Sequence, residues 1–413
     1  LFPELTFNVD HSVFSGGYYC QVSGRPPLTQ EEITDLTHHM RKLVKQDLPF
    51  ERRIVPLTEA IQYFESQGFQ DKVQLLKCRE KDTLVLYRLG DHQDYHHGYM
   101  VPSTGYLRWF GLKRLSAGFI LRFPRRHAPE ELLPMGNYPM LLKTFQQYGA
   151  WLTSLGIESV GALNEAILTD RTREVILISE ALHEQKIAQI ARQIVDRAKT
   201  TRIVLIAGPS SSGKTTFSKR LTVQMLAYGV SPFALEMDSY FIDREKTPKD
   251  KEGNYDFEAL EALNIGRLET DLKRLINGEE VQLPRYDFKK GISLAGDVVK
   301  LDQDQIVILE GIHGLNPRLL PHIPAEHTFR IYISCLTQLN LDRHNRISTT
   351  DSRLIRRIVR DARERGYSAL ETIQRWDSVG RGEKDHIFPY QENADEIFNS
   401  ALVYELSALR PLA

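Results

Sequence analysis

Residues 201–221 read TRIVLIAGPSSSGKTTFSKRL, an apolar run, a glycine-bounded loop and a helix start in that order. Residues 208–215 fit GxxxxGK[ST], and the flanks supply the strand before and the helix after, without which the pattern carries little. Gly208 and Gly213 let the backbone N–H groups of the loop, across Pro209, Ser210, Ser211 and Ser212, turn inward toward phosphate oxygens. Lys214 then reaches the outer phosphates, and Thr215, followed by Thr216, presents a hydroxyl to Mg²⁺ at the positive end of the helix. The stretch predicts that the chain binds a nucleoside triphosphate.

At 413 residues the chain is long enough for two or three domains. A formal net charge of −1 with 26% charged residues gives no global field for nucleic acid or an anionic membrane. Cys20, Cys78 and Cys335 are scattered and odd in number, which fits a reducing compartment and points to the cytoplasm. No apolar stretch approaches the ~20 residues of a membrane span, and no secretory leader opens the text, so no membrane partner is expected.

Residues 1–155 mix short strand-like pieces such as LVLYRL with a polar helix over residues 29–46, an α+β pattern. Residues 156–200 form a linker whose Ile178, Leu182, Ile187, Ile190, Ile194 and Val195 recur at helical spacing. In residues 201–413 the runs RIVLIAG, SPFALEMDS, QIVILEGI, TFRIYIS and ADEIFNSALVY alternate with helices. That alternation predicts an α/β domain with a P-loop and a doubly wound parallel sheet, preceded by the smaller α+β domain.

Such sheets bind ligand at the carboxyl ends of their strands, where Asp238 ends FALEMD and Glu310 ends IVILE. Phosphoryl transfer needs metal ligation, an oriented nucleophile and positive charge around the migrating group, and two acids beside the loop supply the first two. Tyr255, Asp256, Tyr286, Asp287 and Phe288 flank a hairpin begun by Pro284; they suit either a flat hydroxylated acceptor or core packing. Residues 351–366, DSRLIRRIVRDARERG, set Arg353, Arg356, Arg357 and Arg360 along one helical face and Leu354, Ile358 and Ala362 along another. The cationic face reads as a solvated surface, a nucleic-acid patch or a lid closing on phosphates; the neighbouring loop favours the lid. His313 follows Glu310 and reads as a structural loop histidine.

GPSSSGKTT, MDSYF, PRYDF, ILEGI and DSRLIRRIVRDARERG, in this order, resemble the phosphoribulokinase and uridine kinase family over residues 200–413. The resemblance implies an ATP- and Mg²⁺-dependent kinase of a small hydroxylated acceptor, a uridine- or cytidine-like nucleoside before a non-nucleoside sugar or polyol. It assigns Asp238 as the base, Lys214, Arg357 and Arg360 to catalysis, and Arg353 with residues 208–216 to the nucleotide. It gives Thr215 and Glu310 to the metal, and Tyr240, Asp256, Arg285, Tyr286 and Phe288 to the acceptor. Uridine kinases carry a histidine shortly after YDF, where this chain has KKGISL. No NKxD signature is present, which weakens a GTPase-type switch.

Residues 31–68 and 95–116 resemble the second additional domain of threonyl-tRNA synthetases, which hydrolyses mischarged tRNA. In the segment matching that domain's CxxxH pair, HHGYM, His96 stands at the cysteine and Met100 at the histidine position, and no metal is assigned to His92, His96 or His97. The resemblance implies RNA contact by this domain, and an RNA-binding sensor with regulatory nucleotide binding is the alternative to a kinase. The pairing of both domains resembles a bacterial nucleoside kinase family whose longer members begin with a TGS domain, expected here before Leu1. A homo-oligomer is compatible with either reading.

Overall fold

In the computed structural model, which describes every residue except Leu1, Pro3, Glu4, Gln303 and Gln338, the chain divides into two units. Unit 1 comprises Leu1–Tyr138, Phe145–Glu174 and Thr337–Ser348; unit 2 comprises Pro139–Thr144, Val175–Leu336 and Thr349–Ala413.

Unit 1 begins with β1 (Thr6–Ser12), β2 (Tyr18–Ser23) and α1 (Gln30–Gln46). A capping box starts α1: Glu32 N donates to Thr29 Oγ1 at 3.2 Å, and Thr29 N donates to the Glu32 carboxylate at 2.8 Å. The chain continues through β3 (Glu51–Pro56), α2 (Leu57–Ser66), α3 (Gln70–Lys77), β4 (Thr83–Leu89), β5 (His92–Tyr95), β6 (Gly111–Leu115) and β7 (Gly118–Arg122). These strands form two antiparallel sheets, β1-β2-β7-β6 and β3-β4-β5. Phe64, Val73, Leu76, Leu84 and Leu86 close the core over the second sheet, and Val9, Cys20, Ile33 and Phe119 that over the first. The helices α4 (Pro139–Leu155) and α5 (Val160–Leu168) follow.

The late segment Thr337–Ser348 is built into unit 1 by polar contacts. Lys72, fully buried, donates to Asp94 at 2.9 Å and to Asp342 at 3.1 Å. Arg343 pairs with Asp71 at 2.7 Å, and Asn340 donates to the Val9 carbonyl at 2.8 Å. A buried ammonium is tolerable only with such partners, because its desolvation is otherwise very costly.

Unit 2 contains most of α6 (Thr172–Asp196), then β8 (Ile203–Ala207), α7 (Lys214–Ala227), β9 (Pro232–Glu236), α8 (Ile265–Ile276), β10 (Val281–Asp287) and β11 (Ile292–Val299). It ends with β12 (Ile306–Glu310), β13 (Thr328–Ser334), α9 (Thr349–Arg365), α10 (Ala369–His386) and β14 (Glu396–Asn399). Five strands pair in parallel in the order β14-β13-β8-β12-β9. Every residue of β8 is buried because successive side chains enter opposite cores. Ile203 and Leu205 pack with Leu268, Leu272 and Leu275 of α8; Val204 and Ile206 pack with Ile187, Ile190, Phe217 and Leu221 of α6 and α7. This is the expected doubly wound sheet, with β10 and β11 standing off it as an antiparallel hairpin. No helix among the described residues is long and apolar enough to cross a membrane.

Candidate active site

The loop between β8 and α7 lies at the carboxyl edge of the central strand. A Cβ on Gly208 would run into the Ile333 carbonyl, so the close approach to β13 requires glycine there. Gly213 adopts φ 91° and Ser211 φ 58°, left-handed turns that curl the loop toward the start of α7. Lys214 Nζ donates to the Gly208 carbonyl at 2.9 Å and to the Pro209 carbonyl at 3.3 Å. Burial lowers its pKa, against the opposing pull of Glu310 and Asp238.

Glu310 converges on this loop because β12 pairs between β8 and β9. Its Oε1 accepts from Thr215 Oγ1 at 2.6 Å, and burial raises its carboxyl pKa. Asp238 sits in the short turn Met237–Tyr240 just past β9. It is exposed on its outer side, while the protein packed around it desolvates the carboxyl and raises its pKa, against Lys214, which lowers it. The strand order thus brings Lys214, Thr215, Asp238 and Glu310 to one edge of the sheet.

The arginine helix α9 turns much of its cationic face into the protein. Its buried residues are Ser352, Arg353 and Asp361, whereas Leu354 and Ile358 are part-buried and Ala362 is exposed. The polar face therefore packs at least as closely as the apolar one, because it finds carboxylates and loop carbonyls. Arg353 pairs bidentately with Glu383 of α10, with one N–O distance of 2.7 Å, and donates to the Ser210 carbonyl at 3.1 Å. Glu383 also accepts from Ser210 N at 3.0 Å. Arg357 donates to Ser210 Oγ at 2.5 Å and to Asp361 at 2.9 Å, and Arg360 donates to Asp361 at 3.0 Å. Arg356 turns instead to Ser400 and Glu405. Thr216 lies exposed beside Thr215 at the start of α7.

The expected acceptor residues separate. Tyr286 and Phe288 come together, with ring centroids 5.1 Å apart, and meet Phe241 at 5.5 and 6.2 Å. Phe257 adds a further edge to Phe241 at 6.2 Å. Asp256 uses Oδ1 to accept from Glu258 N at 3.1 Å, capping its own turn. Tyr240 is turned away: only 1% exposed, it packs in the sheet core and its hydroxyl donates to Asp271 at 3.2 Å. Arg285 is exposed on β10 between buried Pro284 and Tyr286, on the strand face opposite Tyr286. Sequence reasoning missed Phe241, Phe257, Glu258, Asp361 and Glu383. Phe241 adjoins MDSY and Asp361 stands four residues from Arg357, both readable signals; Glu383 had none.

The oxygen donors of Thr215 and Glu310 suit Mg²⁺, a hard cation that takes one or two protein oxygens and completes its shell with water and phosphate. Among the described residues no three His, Cys, Asp or Glu side chains cage a metal by themselves.

Residues 203–407 match the phosphoribulokinase / uridine kinase family. The N-terminal region is similar to threonine–tRNA ligases, 32% identical over 120 residues to that of Listeria welshimeri and 35% identical to that of Laribacter hongkongensis. Each match covers 29% of this chain, which spans about 19% of the length of those relatives. Among solved structures, D-glycerate 3-kinase from Cryptococcus neoformans shares 13% identity at a TM-score of 0.35, covering 53% of this chain and 91% of that one. Phosphoribulokinase from Rhodobacter spheroides shares 17% at 0.31, covering 49% and 70%.

Proposed function

With residues 203–407 forming a domain of the phosphoribulokinase / uridine kinase family, we propose that this chain transfers the γ-phosphoryl group of ATP to a hydroxyl of a small acceptor, a nucleoside before a sugar or polyol. The observation that carries the reading is the convergence of Lys214, Thr215, Asp238 and Glu310 beside an aromatic group of Phe241, Phe257, Tyr286 and Phe288. Loop amides and Lys214 hold the triphosphate. The acceptor oxygen attacks the γ-phosphorus, its proton passes to an Asp238 oxygen, and the bridging P–O bond breaks to leave ADP. Thr215 and Glu310 would hold Mg²⁺, which supplies charge neutralisation at the phosphates when bound. Arg357 and Arg360, now held by Asp361, supply guanidinium charge to the migrating group. The exposed ring of Phe288 and the half-exposed ring of Phe257 offer a nucleobase a stacking surface.

The test is an ATP-consumption screen over nucleosides, pentoses and polyols with the intact chain. The reading expects consumption that depends on one acceptor class. Hydrolysis at the same rate without any acceptor would instead mark a nucleotide switch.

A second property is supported for unit 1, contact with RNA. Its likeness to threonine–tRNA ligases accompanies a cavity of about 570 Å³ lined by Tyr106, Trp109, Phe110 and Phe123 with Arg125 and Arg126. Aromatic rings beside guanidiniums suit an unpaired nucleic-acid end. Titration with tRNA at rising salt checks it: affinity should fall steeply as salt increases, and binding absent at low salt removes the reading.

A further inference from the structure

Glu258 lies outside every motif, yet it belongs to the electrostatic cluster of the phosphate loop. Its turn is fixed twice: Asp256 N donates to the Pro248 carbonyl at 2.7 Å, and Glu258 N donates to Asp256 Oδ1 at 3.1 Å. The side chain then runs along the backbone of α10. A Cβ built on Gly382 would lie 2.5 Å from Glu258 Cβ, 2.6 Å from Cγ and 3.3 Å from Cδ, so glycine at 382 is what leaves it room.

The groups that face its carboxyl are Lys214, Asp238, Arg357 and Glu383. The two cations and Glu383 are already engaged. Lys214 donates to two loop carbonyls, Arg357 is held by Asp361 and Ser210, and Glu383 by Arg353 and Ser210 N. Among the described residues the Glu258 carboxyl itself takes no hydrogen bond, although it is only partly exposed. Burial, with Glu383 beside it, pushes its pKa up to about 7. The carboxyl keeps access to solvent and takes no donor from the protein, so a donor that arrives with a ligand can replace water on it. Phosphate oxygens offer that carboxyl no donor, whereas a hydroxyl of the molecule to be phosphorylated does.

Resting on the kinase reading above, we propose that Glu258 is a specificity-determining residue: it accepts a hydrogen bond from a second hydroxyl of a neutral acceptor and repels acceptors that carry a phosphate or carboxylate. Glu258 and Asp238 together line the acceptor side with two acids, while Lys214, Arg353 and Arg357 attend the loop. A ribose diol or a neutral polyol suits that distribution, and a sugar phosphate or a hydroxy acid does not.

The experiment measures phosphoryl transfer from ATP at pH 8, above the raised pKa of Glu258, by the full chain to uridine, cytidine, ribose, ribulose 5-phosphate and glycerate, in the native protein and in Glu258→Gln and Glu258→Asp. The native protein should use neutral acceptors alone. Glu258→Gln should raise the KM for the neutral acceptor by about 10-fold, leave the KM for ATP unchanged and relax the exclusion of anionic acceptors. Glu258→Asp, which keeps the charge, should keep that exclusion. Native turnover of ribulose 5-phosphate or glycerate comparable to that of nucleosides overturns the inference while the kinase reading stands. So does an unchanged acceptor KM in Glu258→Gln. ATP hydrolysis with no acceptor phosphorylated overturns the kinase reading and takes the inference with it.

Discussion

Asp238 is the proton acceptor of the proposed transfer, and its exchange is the sharpest single-residue test. Exchanging it for asparagine keeps the shape of the turn after β9 but removes the proton acceptor. Turnover should fall about 100- to 10,000-fold while ATP binding, followed by calorimetry, stays within a factor of a few. Glu258 makes a separate prediction through stability. Its folded pKa of about 7 lies above its ordinary 4.5, so the native state holds more protons than the unfolded chain between those values. Stability contributed by the protonated form is lost as pH rises through that window. Facing Asp238 and Glu383 as well as Lys214 and Arg357, Glu258→Gln should therefore stabilise the protein at pH 8 by up to about 3 kcal/mol and do little at pH 4, as read from denaturant midpoints. The loop residues and both strand-end acids were legible in the sequence because type, spacing and flanking strands all pointed the same way. Tyr240 was not: sequence cannot say whether a tyrosine beside a strand end faces the phosphate loop or, as here, donates to Asp271 inside the core.

Among the elements, α9 departs most from its one-dimensional pattern. Helical spacing separated an arginine face from an apolar face correctly, but burial went to Ser352, Arg353 and Asp361. Glu383 and the Ser210 backbone, the partners that bury Arg353, are remote in sequence, so no periodicity could announce them. The Arg353–Glu383 pair ties α9 and α10 to the first turn of the phosphate loop. Glu383→Ala leaves the guanidinium buried without its counter-charge and should cost about 3–5 kcal/mol by chemical denaturation, with weakened ATP binding besides. Replacing both partners with apolar residues should be far milder in stability, since it removes the buried charge with its partner. The hairpin tells a similar story: Pro284 and the alternation around it were readable, and that alternation sets Arg285 and Tyr286 on opposite faces.

For the whole molecule, the parallel sheet followed from five apolar runs, because strands buried on both faces leave a continuous signature. The assignment of Thr337–Ser348 to unit 1 left none, since it rests on Lys72, Asp94 and Asp342 meeting across more than two hundred residues of chain. Unit 2 also holds two histidines whose burial lowers their pKa values to about 4, His183 against the Ala401 carbonyl and His313 near His386. Unfolded, both would bind protons below about pH 6.5, so the unfolded state gains protons first and stability falls as pH drops from there toward 4. Each contributes up to about 3 kcal/mol, and replacing either by asparagine should flatten the acid limb of a pH–Tm profile. The account as a whole rests on transfer to an acceptor rather than to water. ATP labelled in its γ-phosphate, incubated with the intact chain, Mg²⁺ and a nucleoside panel, decides it: label should appear on a nucleoside and vanish in Asp238→Asn, whereas label released only as inorganic phosphate, whatever acceptor is present, would contradict it.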